Sequence, residues 1–176
     1  MTHTQQNGIP DPLDNPSLRG PGIWRLLRES FGSRRRLLDV AQIEVSSLCG
    51  GGCLYCPHTT MRQHWKAGHM EAETFERLWP LLLETGRVHL QGWGEPLLHP
   101  RFLDFVRFAR RADCSISTTT CGLVMTERLA AGIVDSGTDI IAFSLTGVTD
   151  ADNNTARPGL PRERLLPSAR PPLEVR

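Results

Sequence analysis

The sequence predicts an α/β fold, a partial (βα)4 half-barrel in which helices cover a parallel sheet of four strands. Two observations support this prediction. Strand-like and helix-like segments alternate four times along the chain, which is typical of right-handed βαβ units. Apolar and polar residues also alternate within the strands, so one face of each strand can pack against helices while the other lines a cavity.

The first 38 residues are predicted to form a flexible leader and a short basic helix ahead of the sheet. Residues 1–20 are rich in Pro, Asn and Gly and have no hydrophobic period. The segment Ile23–Leu38 would place three large apolar residues on one side of a helix: Trp24, Leu27 and Phe31. This region is therefore expected to precede the core domain.

The predicted core domain covers residues 39–160, and a tail rich in Pro and Arg follows over 161–176. Four strands are predicted in the core: Val40–Ser46, Val88–Gln91, Ser115–Thr120 and Asp139–Leu145. Three helices are predicted between them: Glu71–Thr85, Phe102–Arg111 and Thr126–Ser136. The first is expected to kink at Pro80 and to stop at Gly86. The third is expected to bury Leu129, Ile133 and Val134. Strands joined in this way are expected to be parallel.

The two faces of the predicted strands differ in polarity. Alternate positions place apolar residues on the face that packs against the helices: Ile43, Val45, Val88, Leu90, Ile116, Ile141, Phe143 and Leu145. The opposite face is almost wholly polar or small: Gln42, Glu44, Ser46, His89, Gln91, Ser115, Ser117, Thr119, Ala142 and Ser144. In a curved sheet these side chains would line a concave side able to hydrogen-bond a polar ligand. The alternative is an antiparallel sheet with this face in water.

The composition excludes several classes of protein. With 176 residues, 39% of them hydrophobic, and a net charge of +1, the chain suits one globular domain and lacks the bulk basic charge of a nucleic-acid-binding protein. No apolar run approaches the roughly 18 residues of a membrane span, and the polar N-terminus lacks a signal-peptide core. The sequence therefore predicts a cytoplasmic protein that binds neither membranes nor nucleic acid.

Three of the five cysteines lie in one short loop after the first strand, at Cys49, Cys53 and Cys56. Chance seldom produces this spacing, and three thiols cannot all pair as disulfides. A [4Fe-4S] cluster normally takes four thiolates, so three would leave one iron open to another ligand. The loop follows a parallel strand, where such folds carry their chemistry, and this favours the cluster. The alternative is zinc, with a fourth ligand from His58, His64 or His69.

The C-x3-C-x2-C spacing, with Tyr55 before the third cysteine, resembles that of the radical S-adenosylmethionine (SAM) superfamily. Gln91–Pro100 contains a G-x-G-E-P sequence that is similar to the motif with which this superfamily meets the SAM amino group. Thr119–Leu123 stands where its members usually have T-N-G, and Phe143–Gly147 resembles their F-S-L-D/A-G. The closest resemblance is to the SPASM-type branch, whose members modify peptides and often carry a further cluster domain.

The two remaining cysteines and one later run of residues also bear on the resemblance. Cys121 replaces the usual Asn, and it is either a functional thiol or a small buried residue. The sequence favours the buried residue. Cys114 is expected only to pack in the protein interior. The run that contains Asn154, Arg157 and Gly159 resembles the family's N-x-x-R-x-G sequence.

The resemblance implies a role for each candidate site residue. Cys49, Cys53 and Cys56 would hold three irons of a [4Fe-4S] cluster, and the amine and carboxylate of SAM would chelate the fourth. A one-electron donor would drive reductive cleavage of SAM to a 5′-deoxyadenosyl radical that abstracts hydrogen from the substrate. The other residues would contact SAM: Gly92, Gly94 and Glu95 its amine, Tyr55 its adenine, and Thr119 or Ser144 its ribose or carboxylate. Without the cysteines, the glycines would indicate only a turn and Ser144 only a packing residue.

The resemblance further implies a C-terminally truncated chain, because nothing after residue 160 corresponds to strands five and six of the family barrel. Two functions are therefore expected. The first is a radical SAM enzyme that acts on an unknown substrate, a peptide being compatible with the branch. The second is a truncated, non-catalytic fragment that binds an iron–sulfur cluster, zinc or a partner. The open side of the half-barrel predicts a protein partner that covers it.

Overall fold

Four parallel strands lie side by side in chain order in the computed structural model, which describes residues 36–147 and 149–160. The strands are β1 (Leu38–Ile43), β2 (Thr85–Leu90), β3 (Ser115–Thr120) and β4 (Ile140–Phe143). The register aligns Gln42 with His89 and His89 with Ser117, all in parallel pairs. The predicted α/β half-barrel is therefore confirmed, and the antiparallel alternative is wrong.

Six α-helices connect or follow these strands in the described part of the chain: α1 (Pro57–Thr60), α2 (Ala72–Glu76), α3 (Trp79–Leu83), α4 (Phe102–Arg110), α5 (Glu127–Asp135) and α6 (Asp150–Ala156). Two short 3₁₀ turns lie at Arg62–His64 and Pro96–Leu98. The prediction for α5 is confirmed at both ends, because the Thr126 hydroxyl accepts from Leu129 N at 3.2 Å and Gly137 follows with φ +87°. None of the helices described is long and apolar enough to cross a membrane.

The single helix predicted over Glu71–Thr85 is wrong, because the structure has two short helices, α2 and α3. Pro80 lies in the first turn of α3, where the missing N–H leaves no hydrogen bond unmade, so this proline begins a helix instead of kinking one. Thr85 starts β2 and donates its hydroxyl to Leu81 O at 2.8 Å. Gly86, predicted to stop the helix, is a strand residue.

The leader and basic helix predicted over residues 1–38 lie outside the described residues up to residue 35, and the tail predicted over 161–176 lies wholly outside them. The last residues of the predicted Ile23–Leu38 helix are described and are not helical. Leu38 begins β1 instead.

The core lies between the apolar face of the sheet and helices α2 to α5. Phe75 of α2 stacks on Phe105 of α4 with ring centroids 4.2 Å apart, and β2 and β3 contribute Val88, Leu90 and Ile116, all fully buried. Two residues predicted to be buried are exposed, Leu145 by 44% and Val134 by 75%. Val134 lies about 100° around the helix from buried Ile133, so its side chain points away from the sheet.

The opposite face of the sheet carries a connected group of polar side chains. His89 Nδ1 lies 2.9 Å from Ser117 Oγ, and His89 Nε2 lies 2.8 Å from Gln91 Oε1 and 3.5 Å from Thr119 Oγ1. These contacts place the polar residues of β2 and β3 together, as the alternation predicts. The prediction of an almost wholly polar face is wrong at the edge strands, where Val40 and Ile140 are about half exposed (53% and 50%) on this same face.

Candidate functional site

The loop of the three cysteines follows β1 and lies at the carboxyl edge of the sheet. Cys49, Cys53 and Cys56 are free thiols, each partly exposed. Cys56 N donates to Cys53 O at 3.2 Å, which closes a turn between the last two thiols. Cys56 Sγ is 3.9 Å from Trp93 O. The loop therefore reaches the Gly92–Glu95 turn that follows β2.

Three glycines let this loop lie close to segments that follow β3 and α6. A side chain at Gly50 would come within 2.9 Å of Leu123, and one at Gly51 would overlap Leu160. Gly52 N donates to Pro158 O at 2.8 Å, and Leu54 N donates to Ala156 O at 3.1 Å. Two backbone hydrogen bonds thus join the cysteine loop to the segment 156–158.

The zinc alternative needs its ligands around one point, since a structural zinc site holds four groups within about 2.3 Å of the ion. Within 36–147 and 149–160, no three His, Cys, Asp or Glu side chains are grouped so that they could hold a single metal ion. Of the histidines proposed for zinc, His58 packs edge-on against Trp65 and His69 against His99. A [4Fe-4S] cube presents its irons at separate corners, so its thiolates need not meet at one point.

Cys49 is surrounded by groups that favour its thiolate. A hydrogen bond from Cys121 is the largest cause that lowers the pKa of Cys49, to about 6, and the Gly51 N–H and the Arg157 charge act in the same direction. Burial and the Glu95 carboxylate oppose them. The pKa of Cys121 is raised, first by this hydrogen bond and then by burial. These groups together favour the thiolate form of Cys49, the form in which cysteine binds metals.

Arg157, which follows α6, is a buried cation with only 2% of its surface exposed. One end of its guanidinium, Nη1, donates to the Ser144 carbonyl. Its Nε is also buried, and none of the described residues accepts a hydrogen bond from it. A buried cation needs an anionic partner, and a cluster held by three thiolates carries net negative charge. The donor set and this cation therefore fit an iron–sulfur cluster.

Glu44 holds the turn after β2, although the sequence analysis placed this residue only on the polar face of the sheet. One oxygen of Glu44, Oε1, accepts from Trp93 N at 2.6 Å and from Gly94 N at 3.1 Å. A side chain at Gly92 would overlap the Glu44 carboxylate, and one at Gly94 would overlap the Ser46 carbonyl. Both glycines are thus needed for packing against the end of β1, whether or not they meet a ligand.

Glu95 is 2% exposed and links the turn to the end of β3. Its Oε1 accepts from Thr120 Oγ1 at 2.7 Å and from Leu97 N at 3.1 Å, and its Oε2 accepts from Cys121 N at 2.6 Å. The carboxylate thus has partners inside the protein for both oxygens.

The remaining predicted SAM contacts lie at separate places along the carboxyl edge. Tyr55 is 60% exposed, and its hydroxyl is 2.9 Å from Thr146 Oγ1. Thr119 and Ser144 are partly exposed, and Ser144 N donates to Thr120 O at 2.9 Å. A cavity of about 450 Å³ lies beside the end of β1, lined by Glu44–Ser47, Lys66–Glu71 and Thr74. Its lining includes Glu44, which holds the turn after β2, and His69, one of the histidines named for zinc, but none of the three loop cysteines.

Arg157, Glu44 and Cys121 are the site residues that sequence reasoning missed or undervalued. The family-like run around Arg157 and the substitution of Asn by Cys121 were visible signals in the sequence. Nothing in the sequence shows that Glu44 reaches the turn after β2, because that contact depends on the pairing of β1 with β2.

Comparison with known proteins gives relatives that share this region. Residues 43–167 match the Radical SAM superfamily. The tungsten-containing aldehyde ferredoxin oxidoreductase cofactor-modifying protein of Pyrococcus furiosus is 28% identical over 116 residues, 63% of this chain and 32% of the relative. The PqqA peptide cyclase of Gluconobacter oxydans is 28% identical over 110 residues, 61% of this chain and 30% of the relative.

A solved structure resembles the fold. Native anSMEcpe with bound AdoMet superposes with a TM-score of 0.61 at 23% identity, covering 75% of this chain and 40% of that one. The chain spans about a third of the length of the curated relatives it matches. Since the matched region contains the cysteine loop, the turn after β2 and all four strand ends, this chain belongs to the radical SAM superfamily.

Proposed function

We propose that this chain binds a [4Fe-4S] cluster through Cys49, Cys53 and Cys56 and binds SAM beside it, as the radical-generating domain of an enzyme. The observation that carries the proposal is the position of three free thiols on the loop after β1, inside the region matched to the superfamily. When bound, the reduced cluster supplies one electron that cleaves SAM to methionine and a 5′-deoxyadenosyl radical, which abstracts hydrogen from the substrate.

The chain's own residues prepare the site for these groups. The Gly51 N–H donates to Cys49 Sγ, and both this bond and the Cys121 side chain lower the pKa of Cys49, which favours its thiolate as a ligand. Buried Arg157 offsets the negative charge of the thiolates. These three groups act on one end of the cysteine loop.

The turn after β2 is prepared for a cationic amine. Glu44 accepts hydrogen bonds from the N–H groups of Trp93 and Gly94. The turn therefore has its carbonyl oxygens left to accept from the SAM amine, which is a hydrogen-bond donor. We assign Glu95 as an electrostatic partner of that amine. Tyr55 is assigned to the adenine, and Thr119 or Ser144 to the ribose or carboxylate of SAM.

The wider assignments follow from the same proposal. A peptide substrate is supported by the relative named PqqA peptide cyclase. A one-electron donor is required, because SAM cleavage consumes one electron. A reducing compartment such as the cytoplasm suits free thiols. We also propose residues 39–160 as the radical SAM core between a leader and a tail, with a protein partner on the open side of the sheet.

Anaerobic reconstitution with iron and sulfide tests the proposal. The protein is expected to take up about four irons and four sulfides per chain and to give the spectrum of a [4Fe-4S] cluster. Addition of dithionite and SAM should then release 5′-deoxyadenosine, measured by liquid chromatography.

Single substitutions separate cluster ligands from other cysteines. Cys49→Ser, Cys53→Ser and Cys56→Ser are each expected to lose the cluster, because no thiolate is spare. Cys114→Ser is the matched control, since Cys114 is buried and donates to Leu82 O and Thr85 O near the opposite edge of the sheet. Uptake of zinc instead of iron, or a loaded cluster that yields no 5′-deoxyadenosine, would favour the non-catalytic alternative.

A further inference from the structure

A basic segment, residues 57–66, directly follows the third cysteine of the loop. Between Glu44 and Glu71 the sequence has no acidic residue, whereas it has Arg62, Lys66 and three histidines there. Lys66 is also the single lysine of the whole chain. Positive charge is thus concentrated beside the cysteine loop of a chain whose net charge is only +1.

The basic segment is folded against the protein next to the loop. Its first helix, α1, has Cys56 as N-cap. At its other end, Trp65 Nε1 donates to Ser47 O at 2.9 Å, and the Trp65 ring meets the His58 ring edge-on with centroids 5.6 Å apart. These contacts hold both ends of the segment, so its exposed side chains are presented from an ordered piece of backbone.

The exposed side chains of the segment combine apolar surface with charge. We call four of them the basic face: Met61, which is 53% exposed, Arg62, His64 and Lys66. Within the part of the chain that the structure describes, no ion pair joins Arg62 or Lys66 to a carboxylate. On α4, by contrast, Arg101 and Arg107 both pair with Asp104 at 3.3 Å. The charge of the basic face is therefore left for a partner.

We propose that the basic face is the docking surface for the one-electron donor, and that this donor is an acidic carrier protein of the flavodoxin class. The inference rests on the proposed function. Electron transfer slows steeply with distance, and only the four residues of α1, about 6 Å of helix, separate Cys56 from Met61. In the docked pair the reduced flavin is oxidised by one electron, which passes to the cluster.

The composition of the basic face suits a partner of this kind. Opposite charges steer two proteins together, and the encounters of electron-transfer proteins use small interfaces. Methionine and arginine are enriched in protein interfaces, so Met61 and Arg62 can supply the central contacts. An acidic carrier therefore matches both the charge and the size of this surface.

The single lysine gives a test of docking that does not depend on turnover. A water-soluble carbodiimide joins an amine to a carboxylate in contact with it, so it should link Lys66 of the full chain to an acidic flavodoxin. Mass spectrometry of the digested complex identifies the joined peptides. The yield should fall at high salt, because salt screens the attraction. Lys66→Arg keeps the charge without the amine and should abolish the link.

The rate of 5′-deoxyadenosine formation tests the role in electron transfer. Arg62→Glu is the variant of choice, because Lys66 shares the cavity at the end of β1 with Glu44 and Glu71, whereas Arg62 lies outside it. With reduced flavodoxin at low salt, this variant is expected to be about tenfold slower than the wild type or more. With dithionite, which needs no docking surface, the two rates should agree. Arg128→Glu, the same charge change on an exposed residue of α5, should match the wild type with both reductants.

Several results would overturn the inference. Equal flavodoxin-driven rates in the wild type and Arg62→Glu would do so, as would an equal loss with dithionite, which would place the defect in the site itself. Cross-links confined to the N-terminal amine would contradict docking at Lys66. A link to an oligoglutamate peptide but none to flavodoxin would assign the surface to an acidic substrate instead. A wild type without iron, or without product from dithionite, overturns the proposed function together with the inference.

Discussion

Glu95 illustrates how a motif residue can have a structural role beside a ligand role. Its buried carboxylate accepts three hydrogen bonds, two of them from the end of β3 at Thr120 and Cys121. Those bonds connect the turn after β2 with the segment that carries the Cys121 thiol. The position of Glu95 in the motif was predictable from the sequence, whereas its two partners at the end of β3 depend on how β2 and β3 pair.

Glu95→Gln is expected to lower the free energy of unfolding by about 1–3 kcal/mol, because the amide replaces one acceptor oxygen with a donor and leaves a buried N–H or O–H without a partner. Chemical denaturation of the cluster-free protein measures this. Glu73→Gln, on the exposed side of α2, is the control and should change stability little. Equal effects of the two substitutions would contradict the structural role of Glu95.

His99 is the residue from which we expect a pH-dependent stability. It is 5% exposed, its Nε2 is 2.9 Å from Met70 O, and its Nδ1 accepts from Arg101 N at 3.0 Å. Burial is the largest cause that lowers the pKa of His99 below its ordinary value of 6.5. The unfolded chain therefore binds a proton at higher pH than the folded one. The stabilisation is complete above about pH 6.5 and decreases as the pH falls below this value.

Urea unfolding at pH 7.5 and at pH 5.5 measures the effect. The wild type is expected to be less stable at pH 5.5, and His99→Gln should show a smaller difference between the two pH values because the titrating group is gone. His64→Gln, which removes an exposed histidine, should retain the wild-type difference. The assignment to His99 fails if His99→Gln and the wild type respond equally.

At the scale of elements, the turn after β2 depends on close approach to the end of β1. Gly94 faces backbone atoms of Ser46 and Ser47, whereas Gly92 faces the side chain of Glu44. Backbone cannot move away without disturbing the strand, but a side chain can adopt another rotamer. The two glycines of one motif therefore differ in what they tolerate.

Gly94→Ala is accordingly expected to be more destabilising than Gly92→Ala, with a loss of about 1–3 kcal/mol for the former. Gly92→Ala should instead displace the Glu44 carboxylate from Trp93 N and Gly94 N. Denaturation curves of both variants, with circular dichroism to confirm folding, give the comparison. Equal stability of the two variants would mean that the turn is not packed as described.

Prediction from the sequence succeeded for helices whose apolar residues repeat at regular helical spacing and whose ends carry clear terminal residues. Helices α4 and α5 lie within one residue of their predicted ends, because their apolar spacing and their terminal residues agree. The pattern over Glu71–Thr85 was misleading, since the apolar residues continue across the break between α2 and α3. A period shows which side chains face the core, but it does not show where backbone hydrogen bonds change partners.

At the scale of the whole molecule, the site is formed where distant parts of the chain meet. The cysteine loop is bonded to residues 156–158 through Gly52 and Leu54, and Arg157 connects the same segment to β4 through the Ser144 carbonyl. Groups bound at the loop are thus coupled mechanically to α6, whose last residue, Ala156, begins this segment.

Cluster loading is therefore expected to slow amide hydrogen exchange at Gly52, Leu54 and throughout α6 by about tenfold or more, which corresponds to about 1.4 kcal/mol of local stabilisation. Removal of iron by a chelator should reverse the change. Helix α4, which packs in the core away from the loop, provides the internal control and should exchange at the same rate in both forms. Slowing confined to the loop would show that α6 is not coupled to it.

The sequence by itself determined the four strands, their alternation with helical segments, and the grouping of three cysteines in one loop. These features are encoded locally, by alternation, by helical spacing and by short motifs. Only the tertiary structure decided that Cys121 bonds to Glu95, that Glu44 holds the turn after β2, and that Arg157 is buried beside the loop. The physical reason is that a parallel sheet brings the carboxyl ends of all its strands to one edge. Contacts there depend on which distant segments of the chain are brought together, and a local pattern in one strand does not specify its neighbours.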